Sequence, residues 1–207
     1  GLNSMKSALS GDANVAIGPE ALCSNWSGCN NIAIGCKALE DWTGKEGREG
    51  SVAIGTCALA TITTAAGNTA VGYMAGQATT NGDNVAVGHC AMHDNTSGEA
   101  NVAIGFCASK AGTGARHNVG IGFRALDSST TCGNVAIGYQ AAYNQSSGMC
   151  NVVIGCRAMY NGGSGDETVV VGHKAGYSNN ADFNTAIGSC ALYSNTTGIG
   201  NLAVGHC

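Results

Sequence analysis

Eleven cysteines and five histidines are the side chains of this 207-residue chain best able to ligate a metal, form disulfides or act as nucleophiles. Their spacing narrows the choice. No C-x-x-C pair occurs, which speaks against zinc-ribbon and thioredoxin-type chemistry. Five cysteines, Cys57, Cys90, Cys107, Cys190 and Cys207, stand two residues after a glycine that recurs at steps of 16 or 17 residues, with one step of 20. Elsewhere the same slot holds Glu20, Lys37, Met74, Arg124, Gln140, Arg157 and Lys174, so it reads as a solvated position. A cysteine-rich, weakly charged chain suits an oxidising compartment, and three uses stay open: disulfide staples, free thiols or metal ligands. As staples the pairs would be Cys90 with Cys107, Cys190 with Cys207, Cys36 with Cys57, and Cys132 with Cys150, each one repeat apart. Cys23 and Cys29 flank a single turn. Stacked repeats about 4.8 Å apart would bring such pairs within disulfide reach. Cys156 is then left over, a candidate for an intermolecular bridge.

The remaining candidates are weaker. His89, His173 and His206 directly follow the repeat glycine, a slot that also holds Tyr73, Phe106, Phe123 and Tyr139, which favours a packing or interface role. Neighbouring strand residues point to opposite faces, so His89-Cys90 and His206-Cys207 do not chelate one ion. Four N-x-[ST] sequons, at Asn25, Asn95, Asn144 and Asn195, fall on one turn of the repeat. They read either as a glycosylated edge or as a by-product of turn-rich composition. Trp26 and Trp42 occupy nearly the same turn of successive repeats, Trp42 at the start of the charged stretch 41–50. They form a candidate contact patch, against the alternative of indoles packed on their own repeat. No nucleophile with a base and orienter, no carboxylate pair and no phosphate loop is present, so no catalytic, cofactor or metal site is expected and the chain reads as a non-enzyme.

What must position these residues is a five-residue unit, plainest as Asn14-Val15-Ala16-Ile17-Gly18, recurring twelve times with glycines from Gly18 to Gly205. Such a period predicts a solenoid before any local propensity is weighed. The run is short, β-branched, alternating and stopped by Gly, which predicts a strand. Both faces are apolar; the expectation is that Val and Ile fill the coil and the small Ala face meets another chain. The half-repeat exemplified by Cys190-Ala191-Leu192-Tyr193 predicts a second, shorter strand, followed by a turn such as Ser194-Asn195-Thr196-Thr197-Gly198. The reading is all-β: a parallel β-roll or β-solenoid of about twelve coils over 14–207, a longer loop at 41–50, and a lead-in or degenerate repeat over 1–13. Twelve coils make a rod of roughly 55–60 Å.

Composition agrees. Aromatics are 5% and Gly numbers 33, too few large side chains for a thick core. A formal charge of −4 without a basic stripe argues against nucleic acid. No run approaches the ~20 apolar residues needed for a membrane-spanning helix. Thr pairs at Thr79-Thr80, Thr130-Thr131 and Thr196-Thr197 do not recur in consecutive repeats, against a flat ice-binding ladder.

The unit N-[VT]-A-[IV]-G-x-x-A-[LM], with turns such as Tyr193 to Gly198, resembles the head repeats of trimeric autotransporter adhesins. It is similar also to repeats of phage tail-fibre-like proteins. The resemblance covers 14–207 and implies a left-handed parallel roll, three parallel chains, and a role as rigid shaft or adhesive head. The expected function is a structural extracellular fibre or adhesin segment on a cell or virion surface, meeting a receptor or glycan. The alternative expectation is a subunit stacking end to end into a disulfide-stabilised filament, because joining Gly1 of one copy to Cys207 of another would put the next repeat glycine 20 residues after Gly205, a step the chain already contains.

Overall fold

The computed structural model describes residues 1–7, 10–43 and 50–206. Over these the chain is all-β. Twelve three-residue strands, β1 (Val15–Ile17) through β12 (Leu202–Val204), pair in parallel and in strict chain order into one sheet, one strand per coil. The register follows the repeat: Val15 pairs with Ile32, Ala16 with Ala33, Ile17 with Ile34, and so on to Ile187 with Val204. Each coil adds about 4.8 Å, so the eleven steps span on the order of 53 Å. The 20-residue step keeps the same register, with Ile32 opposite Val52. Most of its loop, residues 44–49, lies outside the described residues.

The second expected strand does not form. Residues two and four after each glycine take left-handed backbone angles, as at Arg124 (φ 51°) and Leu126 (φ 52°), and a strand has no place for them. The half-repeat is therefore a chain of turns whose amides still bond to the neighbouring coil: Leu126 N donates to Ala141 O at 3.1 Å, and Arg124 N to Phe106 O at 2.9 Å. The repeat glycine closes the strand. Gly105 has φ +134°, and a Cβ there would lie 2.6 Å from the carbonyl oxygen of Gly122 on the next coil. Only Gly lets consecutive coils approach so closely.

The orientation of the strands is the reverse of that expected. The middle Ala points inward: Ala33, Ala53, Ala70, Ala103 and Ala136 are fully buried, and Val and Ile face out. The coil is thin, and its interior is already occupied by Ala three residues and Leu or Met four residues after the glycine, including Leu39, Leu59, Met92, Leu126 and Met159. In most coils the space between those columns and the sheet takes only a methyl; Val153 and Val170 are the two branched residues that stand there, both fully buried.

Asn precedes most strands and builds an internal ladder. Asn101 N donates to Asn84 Oδ1 at 3.0 Å, and Asn101 Oδ1 accepts from Asn118 N at 3.0 Å. Ser51 and Thr168, which replace Asn, still donate their backbone N–H to the preceding Asn. Residues 1–7 and 10–13 stack on the first coil, with Met5 N donating to Ala21 O and Ser7 N to Cys23 O, both at 3.0 Å.

Candidate functional site

Three surfaces carry the chemistry of this rod, and each arises from a repeat position held in register. The first is the outer face of the sheet. Val and Ile stand in two columns along its length, and Ile17, Ile54, Ile104, Ile137, Ile154 and Ile187 are all more than a third exposed. A third column joins them one residue beyond the glycine, where Tyr73, His89, Phe106, Phe123 and Tyr139 stack with centroids 5.0–5.2 Å apart. Phe106 is 46% exposed and Phe123 40%. The three columns together make an apolar strip with a projected area on the order of 700 Å², more than a monomeric surface usually exposes in one piece.

The second surface is the edge formed by the half-repeat. Tyr143, Tyr160, Tyr177 and Tyr193, five residues after successive glycines, stack with centroids 5.0, 5.4 and 4.9 Å apart. Arg124 lies over the Tyr143 ring at 4.7 Å, and Arg157 lies 5.8 Å from Tyr139 and 5.9 Å from Tyr160, bridging the two aromatic columns. Arg124 also holds Asp127 at 3.0 Å, and that hydrogen bond, above all, keeps its guanidinium protonated to higher pH than usual.

The thiols form the third group. The ten described cysteines are free thiols, none deeply buried. Cys90 and Cys107 take equivalent positions on adjacent coils, where Cys107 N donates to His89 O at 2.9 Å, and burial pushes both thiols up. Burial, with a smaller contribution from Cys36, does the same to Cys57. Cys150 N donates to Cys132 O at 3.2 Å, so that pair also sits on neighbouring coils. Cys29 Sγ instead accepts from the backbone N of Asp12 and donates to Ser27 O. Cys156 is exposed, Cys190 half-buried, and Cys207 lies outside the described residues. Among the described residues no three His, Cys, Asp or Glu side chains gather where they could hold a metal ion, and no helix is long and apolar enough to cross a membrane.

The two tryptophans part company. Trp26 is 56% exposed, whereas Trp42 is wholly buried, so they do not form one contact patch. They differ by one position, eight against seven residues after the glycine, and one step reverses the side of the chain a residue faces. Trp42 fills space above a residue without a side chain: a Cβ on Gly28 would collide with its Nε1.

The same rule sorts the sequons. Asn25 and Asn95, seven residues after the glycine, are 0% and 2% exposed, and each closes its own turn by accepting from Gly28 N or Gly98 N. Asn195 closes its turn in the same way and is half-buried. Asn25 and Asn95 thus have their amides enclosed in the turn, away from solvent. Asn144, six residues after the glycine, is the exposed one.

Threonines also align more than pairwise inspection suggests. Thr43, Thr63, Thr80, Thr96, Thr113 and Thr130 sit eight residues after six successive glycines. Counting from the glycine rather than looking for Thr-Thr pairs would have found the row. Its hydroxyls are partly spent along the rod: Thr43 donates to Thr63 O at 2.9 Å and Thr130 to Ser146 O at 2.7 Å, with Thr80 bonding Thr96 O likewise. They tie coil to coil.

Comparison of the chain with family models, with characterised proteins and with solved structures finds no match, so its function is argued from these three surfaces.

Proposed function

We propose that this chain is a non-catalytic structural segment of an extracellular fibre or adhesin, in which copies associate side by side through the outer sheet face. One observation carries the reading: the most hydrophobic columns of the molecule, Val, Ile and the aromatic row from Tyr73 to Tyr139, point away from the core. Leaving such a strip in water costs roughly 25 cal/mol for every Å² that a partner could cover. The strip is straight and periodic, so a parallel copy repeats the same contacts at every coil, and many small contacts add along the rod. Three parallel chains, as in the repeats this sequence resembles, would enclose the strip completely. The turns would stay outside for attachment to a cell or virion surface.

Sedimentation equilibrium tests this directly. The expected mass is three times the 20.5 kDa of one chain. Placing lysines at Ile104 and Ile137, in the middle of the strip, is expected to yield folded monomers. A wild-type chain that stays monomeric at micromolar concentrations would sink the proposal.

A further inference from the structure

We infer that the edge running from Tyr143 to Tyr193 is a binding track for a linear acidic polysaccharide, with the polymer lying parallel to the rod. This names a partner class for the surface-attachment role proposed above. Only its biological setting rests on that role.

The track repeats a pair of residues on four successive coils: Tyr143 with Asn144, Tyr160 with Asn161, Tyr177 with Ser178, and Tyr193 with Ser194. Each pair offers a phenol hydroxyl and a neighbouring amide or hydroxyl. None of the four phenol hydroxyls makes a hydrogen bond among the described residues. The polar side chains are accessible: Asn144, Asn161 and Ser194 are exposed and Ser178 half-exposed, with Asn144 Nδ2 donating to Asn161 Oδ1 at 3.0 Å along the row. Because the rings are nearly parallel, at interplanar angles of 7°, 17° and 5°, the row is straight and its hydroxyls recur at about the ring spacing.

Charge selects the ligand. Arg157 and Lys174 stand beside the row, two residues after their glycines. Arg157 donates its Nε to Gln140 at 3.2 Å, and neither residue has a carboxylate partner among the described residues. Its other guanidinium donors are unused there. Residues 128–165 and 183–207 contain no Asp or Glu at all. The nearby acids Asp166, Glu167 and Asp182 sit in the turns before the strands; Asp166 and Asp182 accept there from Met149 N and Asp166 N, and Glu167 is exposed. In a chain of net charge −4, an acid-free edge with two unpaired cations is a local exception. It complements carboxylates in a chain otherwise rich in hydroxyls.

The ring geometry excludes the obvious competitor. Single-stranded nucleic acid is held by bases stacking on free aromatic faces, and it carries far more charge per unit length than two cations meet. Here the faces are covered by one another and, at Tyr143, by Arg124. What remains is edges and hydroxyls. A saccharide strand offers hydroxyls and carboxylates at intervals comparable to a coil, so weak contacts repeat and sum along the track.

The test uses the whole chain, made in a host that does not glycosylate Asn144, with polygalacturonate as probe and dextran and polyphosphate as controls. Binding is read by calorimetry, with melting temperature and sedimentation recorded in parallel. Polygalacturonate is expected to bind, and the pair Y160F/Y177F to weaken it about tenfold by removing two hydroxyls while keeping both rings. The pair R157Q/K174Q should weaken it at least as much and remove its salt dependence. Y160F/Y177F should leave melting and sedimentation unchanged, and R157Q/K174Q should leave the chain folded with unchanged sedimentation. Absence of polygalacturonate binding overturns the inference, as does binding that neither pair affects. Equal binding of polyphosphate or dextran overturns it too, the first showing mere charge and the second nonspecific adhesion. Binding to this edge by a chain that sediments as a monomer would leave the track standing and remove the lateral-association reading alone.

Discussion

A Cβ placed on Gly176 would lie 3.0 Å from Cγ2 and 3.3 Å from Cγ1 of Val170. Most coils put Ala at the inward strand position and Leu or Met four residues after the glycine; this coil has Val and Gly. In this coil the two positions share one volume: the methyls of Val170 lie where a side chain at position 176 would stand. Gly176→Leu is therefore expected to cost about 1–3 kcal/mol through overpacking. Adding Val170→Ala should return at least half of the loss, because it restores the pattern of the neighbouring coils. A thermal or urea denaturation cycle of both single variants and the double measures the coupling, and strict additivity would show that the two residues do not share that space.

The Asn ladder gives a second expectation. Asn101 bonds above and below itself and donates its side-chain amide to Ala115 O at 2.7 Å, all out of water. Asn101→Ala strands the Asn118 N–H and the Ala115 carbonyl, a loss of about 2–3 kcal/mol. Since each coil rests on its neighbours, hydrogen exchange should rise first in the coils flanking Asn101 rather than evenly along the rod. Uniform acceleration would mean the ladder contributes nothing local.

The paired thiols predict a pH dependence. In the folded chain Cys90 and Cys107 titrate above the ordinary thiol value of 9.0, chiefly because burial disfavours the thiolate. The unfolded chain loses these protons first. Their contribution to stability is thus complete below the ordinary value and is lost as pH rises from there through the raised folded values. Cys90→Ser/Cys107→Ser should make the melting temperature less sensitive to alkali. These two thiols, at equivalent positions on adjacent coils, should also be the first to cross-link under mild oxidation, seen as a Cys90–Cys107 peptide by mass spectrometry. Preferential cross-linking of Cys23 with Cys29 would contradict the observed geometry, in which Cys29 already bonds to Asp12 and Ser27.

By itself the sequence determined the solenoid, its strand positions and its register. The Asn-Val-Ala-Ile-Gly unit recurs with a period that admits one stacking, and the glycine admits no bulk where coils touch. The slot two residues after the glycine, read from its charged occupants as solvated, is half-buried at Cys57, Cys90, Cys107 and Cys190 and buried at Gln140. Tertiary structure decided which side of each strand is inside. Alternation between Val and Ala tells that two faces differ, but both are apolar, and only the width of the closed coil shows that Ala faces in. The same width put Trp42 inside and Trp26 outside, and buried Asn25 and Asn95 but not Asn144. It also turned the expected second strand into left-handed turns, from which the Tyr143–Tyr193 edge projects. A periodic sequence specifies neighbours along the rod, whereas the sense of a side chain across the coil depends on how much space the opposite wall leaves.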